Sequence, residues 1–159
     1  QVGDTVPGGT LTAMVDGKPT GKTTQEIFAG KKVVLFSVPG AFTPTCSTKH
    51  CPGFGLMANQ LKDLGVDTVA CVSVNDVFVM HAWGENLKVS EKMLMLADGN
   101  ASWAKACGME VDLSAYGMGV RSKRFAMVAD DSKITFIGVD DSGLDKSSAE
   151  SVVAFLKQQ

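Results

Sequence analysis

The chain has 159 residues, 45% of them hydrophobic, and its 17 acidic and 15 basic side chains leave a formal charge of −2. That length suffices for one domain with a sizeable core, so residues 1–159 are read as a single unit. The near-balanced charge gives no footing for nucleic acid or an anionic membrane surface, and no apolar run approaches the ~20 residues of a membrane span.

Residues 1–30 open with turn-rich text and read as a strand or hairpin around Asp16-Gly17, then a short helix starting at Thr23 and ended by Gly30. Residues 31–37 (KKVVLFS) are apolar on successive positions, as in a strand covered on both faces. A helix is expected from Pro44 to about Leu64, interrupted by Pro52, which has no N–H for the Thr48 carbonyl. Gly53 and Gly55 weaken the same stretch, so its first turns read as a unit able to unwind alone. Strands follow at 66–74 and 92–97, on either side of a helix that Asn75-Asp76 can cap. A short helix runs from Ser102 to Gly108, and 110–120 reads as a Gly-rich loop. A hairpin pairs 125–129 with 134–139 around Asp130-Asp131-Ser132. Ser147-Ser148-Ala149-Glu150 is a capping-box pattern for a last helix with Val152, Val153, Phe155 and Leu156 inward. Strands alternating with helices, closed by a hairpin and a helix, imply an α/β fold with a central mixed sheet flanked by helices.

The chemistry concentrates in VPGAFTPTCS, residues 38–47, where a strand hands over to a helix. Pro44 suits the first helical position, and Thr43 can cap from just before it. Cys46 then lies in the first turn, where free N–H groups and the helix dipole favour an anion such as a thiolate. The four cysteines, Cys46, Cys51, Cys71 and Cys107, are too sparse for a secreted disulfide framework and point to a reducing compartment. The N-terminal text is no signal peptide, and the missing initiator Met leaves room for a removed targeting segment or tag. The expected location is therefore intracellular, cytoplasmic or in an organelle.

PGAFTPTCS matches the peroxiredoxin signature P-x-x-x-T-x-x-C, and with KH-PGF, VACVSVND, LADG and RSKRFAMV the chain resembles the type II, peroxiredoxin-five-like group over nearly its whole length. The resemblance implies a thioredoxin-like fold, a homodimer, no cofactor, and a thiol peroxidase acting on hydrogen peroxide and alkyl hydroperoxides. It makes Cys46 the peroxidatic thiol and Arg124, just before Phe125, the cation set against it. Thr43 would offer its hydroxyl as a donor to the peroxide, and Pro39 would shield the site from water. Cys46 would pass through a sulfenic acid, which a second thiol converts to a disulfide.

Animal members often carry the resolving cysteine before the last helix; here Lys146 fills that slot. Three routes stay open, ranked in this order: an external thiol (glutathione, glutaredoxin or thioredoxin), Cys51, and Cys71, which sits in the apolar strand text VACVSV. On an intact helix the Cα atoms of Cys46 and Cys51 would be roughly 8–9 Å apart, beyond the ~7 Å disulfide limit. His50 is read as an exposed helix residue, with a polar neighbour ordering the site mouth as the alternative, and His81 as surface. Cys46, His50 and Cys51 crowd one another too closely for zinc and lack a fourth ligand. The methionines, Met93 and Met95 among them, and Cys107 read as core packing. A C-x-x-C oxidoreductase is disfavoured because residues 46–49 read CSTK. A peroxide-sensing relay or holdase with little turnover is the alternative function.

Overall fold

The computed structural model describes residues 1–159. Its strands are β1 (Thr10–Val15), β2 (Lys18–Thr23), β3 (Lys32–Val38), β4 (Thr68–Ser73), β5 (Leu94–Ala97), β6 (Glu110–Asp112), β7 (Val120–Ser122), β8 (Arg124–Asp130) and β9 (Lys133–Asp140). Its α-helices are α1 (Thr24–Phe28), α2 (Cys51–Leu56), α3 (Ala58–Asp63), α4 (Val77–Leu87), α5 (Ser102–Ala106) and α6 (Ala149–Lys157). Seven strands form one mixed sheet in the order β2-β1-β5-β4-β3-β8-β9. β3, β4 and β5 run parallel, and β8 and β9 return antiparallel on the other side of β3.

The central strand β3 explains the two-layer core. Val34, Phe36 and Val38 pack with Phe54, Leu61, Met80, Trp83 and Val152 on one face, while Val33 and Leu35 pack with Phe28, Leu96, Trp103 and Met127 on the other. Covering both faces is what makes β3 and β4 continuous apolar runs rather than alternating ones. Both tight hairpins use residues that tolerate left-handed backbone: Asp16 and Gly17 (φ 50° and 77°) between β1 and β2, and Asp131 and Ser132 (φ 48° and 70°) between β8 and β9.

Three local expectations are corrected. The helix begins at Pro44 as read, but its irregularity is a π-helical turn, Cys46–His50, in which the Cys51 N–H donates to the Cys46 carbonyl. Widening the turn to i→i−5 is how a helix accommodates Pro52, which cannot donate one turn back; a second irregularity falls at Met57, between α2 and α3. Residues 110–120 are more ordered than loop text implied, because β6 pairs with β7 in a separate two-stranded ribbon. The cap of α6 is Ser148, one residue later than the capping-box reading, with its hydroxyl accepting from the Ser151 N–H. Ser147 is thereby released for a different partner.

Candidate active site

The parallel strands β3 and β4 end side by side, and the segment between β3 and the π turn lies across them. Asn75, just past β4, accepts the Ala41 N–H at 3.0 Å and the Ser73 hydroxyl at 2.6 Å. From α4, the Trp83 indole N–H donates to the Ser47 hydroxyl at 2.9 Å. These contacts hold the π turn so that Cys46 faces inward, with 0% of its surface exposed.

At the thiol stands Arg124, the first residue of β8. Its Nη2 donates to Cys46 Sγ at 3.1 Å, and its Nη1 donates to His50 Nδ1 at 2.8 Å. No carboxylate lies within 4 Å of the guanidinium, since the chain's one ion pair joins the Gln1 amino group to Asp4. The cation is therefore not neutralised by a side chain and is directed at sulfur.

His50 was read as exposed, and the structure corrects this: it is 1% exposed, between the rings of Phe36 and Phe54, at centroid distances of 4.9 and 5.6 Å. Its Nε2 lies 2.8 Å from the Ser147 carbonyl oxygen. A carbonyl can only accept, so the proton sits on Nε2 and Nδ1 is left to accept from Arg124. Burial, reinforced by the Arg124 charge, lowers the imidazole to about 4 against the opposing pull of the Ser147 carbonyl, so His50 is neutral near pH 7. Ser147 in turn donates its N–H and its hydroxyl to Asp140, at 2.9 and 2.7 Å. Burial raises Asp140, but these bonds and the N–H groups of Asp145 and Lys146 outweigh it and hold the carboxyl at about 2.

The other expected residues stand as follows. Thr43 lies beside the site, but its hydroxyl donates to the Gly40 carbonyl at 2.6 Å rather than capping the helix; its backbone carbonyl accepts from the Ser47 N–H. With its proton on the Gly40 carbonyl, the hydroxyl keeps its lone pairs free to accept. Pro39 is half-buried, and its carbonyl accepts from Arg121 Nη1 at 3.2 Å. Arg121 also donates from Nε to the Met118 carbonyl at 2.8 Å, so it braces the Pro39-Gly40 turn from the β6–β7 side. Sequence reasoning assigned Arg121 nothing; its one signal was being the first arginine of R-S-K-R. A Cβ on Gly40 would lie 3.0 Å from Thr43 Cγ2 and 3.1 Å from Arg121 Nη1, so a side chain there would push both neighbours back.

Cys51 and Cys71 lie in the same core layer as Cys46. The Cys51 thiol is directed at Met93 Sδ, 3.8 Å away. Burial and the neighbouring Cys51 thiol push Cys71 well above the usual thiol range. Cys107 caps α5, half-buried, and burial together with Asp98 pushes it up to about 12. All four thiols are free. His81 is exposed, and Met93 and Met95 are buried.

Residues 1–153 match the redoxin family. Peroxiredoxin-2C of rice is 48% identical over 158 residues, covering 98% of this chain and 97% of the relative. Peroxiredoxin-2B of Arabidopsis thaliana is 45% identical over the same shares of each. The structure described as reduced Prx3 of Vibrio vulnificus in complex with h2o2 superimposes with a TM-score of 0.94 at 48% identity, covering 98% of both chains. The chain belongs to the peroxiredoxins. As a peroxiredoxin it is a thiol peroxidase on a thioredoxin-like fold, with the mixed sheet and flanking helices that the family resemblance implied. A 1-Cys peroxiredoxin of Plasmodium falciparum, at 30% identity, shares the fold with a TM-score of 0.93 over the whole chain.

Proposed function

We propose that this peroxiredoxin, of the type II group, reduces hydrogen peroxide and alkyl hydroperoxides with Cys46 as the peroxidatic thiol. The observation that carries the reading is the un-neutralised Arg124 guanidinium, 3.1 Å from Cys46 Sγ. The thiolate attacks the nearer peroxide oxygen; an S–O bond forms, the O–O bond breaks, and the departing oxygen leaves as water or an alcohol after taking a proton. Arg124 and the first N–H groups of the helix meet the negative charge as it passes from sulfur to oxygen. Thr43 accepts a hydrogen bond from the peroxide O–H, and Pro39 keeps water from the sulfur.

The sulfenic acid at Cys46 is resolved by an external thiol, glutathione, glutaredoxin or thioredoxin, and a second thiol releases the mixed disulfide. Two features support that ranking: residues 141–148 hold no cysteine, and the Cys51 thiol is turned toward Met93. Resolution by Cys51 requires the π turn to unwind, because its N–H is bonded to the Cys46 carbonyl. Cys71, buried and held protonated, is the least prepared of the three. The enzyme works as a homodimer through faces near the site, where Phe42 is 52% exposed and Phe78 64%. It operates inside the cell, in the cytoplasm or an organelle; among its relatives, two of the plant proteins are named chloroplastic. No helix is long and apolar enough to cross a membrane.

Catalytic loss of peroxide with dithiothreitol as electron donor tests this reading. Turnover is expected for the wild type and absent in Cys46→Ser; turnover unchanged in Cys46→Ser overturns the assignment. A single stoichiometric reaction without turnover would favour the sensor or holdase reading instead.

A further inference from the structure

Asp140 and Arg124 are cross-strand partners at the start of β8 and the end of β9, yet they form no ion pair. The carboxylate is occupied elsewhere. Oδ2 accepts from the Asp145 N–H at 3.0 Å, the Ser147 N–H at 2.9 Å and the Ser147 hydroxyl at 2.7 Å, and Oδ1 accepts from the Lys146 N–H at 3.0 Å. Loop 141–148 has no regular secondary structure, so these four bonds on one carboxylate do the work that a ladder does elsewhere. Gly138 lets the loop close onto β9, because a Cβ there would collide with the Lys146 carbonyl.

We propose that Asp140 is a positioning residue for the reaction at Cys46, acting through loop 141–148 and His50 on the Arg124 guanidinium; this rests on the thiol-peroxidase reading of that site. The chain of contacts is continuous. Asp140 fixes Ser147; the Ser147 carbonyl fixes the proton on His50 Nε2; His50 Nδ1 fixes Arg124 Nη1; and Arg124 Nη2 meets Cys46 Sγ. Ser147 and His50 are 97 residues apart, so only the anchored loop brings them together.

The chemistry explains why a neutral acceptor stands next to the cation. A carboxylate at His50 would hold Arg124 equally well, but its charge would oppose the attraction of the guanidinium for the thiolate and for the developing oxyanion. Imidazole fixes the fork without neutralising it. The negative charge of Asp140 is instead spent on backbone amides one step back. A cavity of about 230 Å³ has Arg124, Asp140, Pro39 and Ser142 in its wall, so a displaced loop would also admit water against the guanidinium.

The test is the second-order rate of Cys46 oxidation by hydrogen peroxide in a stopped-flow instrument, on the full chain. Asp140→Asn keeps the size of the side chain, and the rate is expected to fall about tenfold, the scale of an ångström-level misplacement of a reacting group. In an Arg124→Ala background the same change is expected to cost less than about twofold, because the group it positions is gone. A wild-type rate in Asp140→Asn, or a fall that multiplies with Arg124→Ala, overturns the proposal. If Asp140→Asn lacks a native circular dichroism spectrum, the His50 pair decides. His50→Gln carries both an amide N–H for the Ser147 carbonyl and an acceptor for Arg124 and should stay within about threefold of wild type, while His50→Leu should lose about tenfold; equal losses overturn the relay. A wild-type chain that fails to consume peroxide would instead overturn the peroxidase reading itself.

Discussion

Replacing Arg124 by alanine removes one charge and two hydrogen bonds, to Cys46 Sγ at 3.1 Å and to His50 Nδ1 at 2.8 Å. At an effective dielectric of about 20, a unit charge 3.1 Å from a thiolate is worth about 5 kcal/mol before desolvation is subtracted. Part of that benefits the resting thiolate as well as the transition state, and only the difference accelerates the reaction. Loss of one preorganised donor to a developing oxyanion costs about 3–4 kcal/mol, or 10²- to 10³-fold. The expected result for Arg124→Ala is therefore a fall of about 10²- to 10³-fold in the second-order rate with hydrogen peroxide. Arg124→Lys should fall between, since an ammonium keeps the charge but cannot span both sulfur and imidazole. Stopped-flow tryptophan fluorescence is the assay, with Trp83, bonded to Ser47, as the reporter beside Cys46. Arg124→Ala reacting within about threefold of wild type would refute the reasoning, whatever its stability.

Three further outcomes are expected. Because His50 titrates at about 4 in the native state and at about 6.5 when unfolded, the unfolded chain binds more protons between those values, so stability falls as pH drops through that window. The loss reaches about 3 kcal/mol and is absent above pH ~7; in urea unfolding His50→Phe should lack this part of the acid slope, and the same slope as wild type would refute the neutral, buried assignment. Gly40→Ala should lower the peroxide rate about tenfold by displacing Thr43 and Arg121; an unchanged rate would show that the turn has slack. Gly138→Ala should lower the melting temperature through about 1–3 kcal/mol of overpacking against the Lys146 carbonyl, and an unchanged melting temperature would contradict that packing.

The burial of β3 on both faces, the Asp-Gly turn and the placement of Cys46 at a helix start were legible because each rests on local text: a continuous apolar run, turn residues, and proline at a first helical position. Arg124 was legible only through the family signature, since nothing local separates it from Arg121, Lys123 or another solvated cation. His50 was misread because its neighbours on the helix, Lys49 and Thr48, are exposed, and its burial depends on a loop returning from the far end of the chain. Asp140 and Ser147 were invisible for the same reason: their partners are backbone groups, which every sequence has. The π turn escaped because i+4 and i+5 bonding differ by one residue over five, too little for an apolar period to register. The β6–β7 ribbon escaped because three-residue strands among glycines carry no alternation.

The most direct measurement is the intact mass of the reduced protein after one equivalent of hydrogen peroxide, without added thiol, followed by peptide mapping. The account predicts a gain of one oxygen, trapped as a sulfenic acid on Cys46, with Cys51, Cys71 and Cys107 unmodified. A loss of two hydrogens mapped to Cys46 and Cys51, or to Cys46 and Cys71, would replace the external thiol with an internal one. Oxidation elsewhere with Cys46 untouched would contradict the central claim.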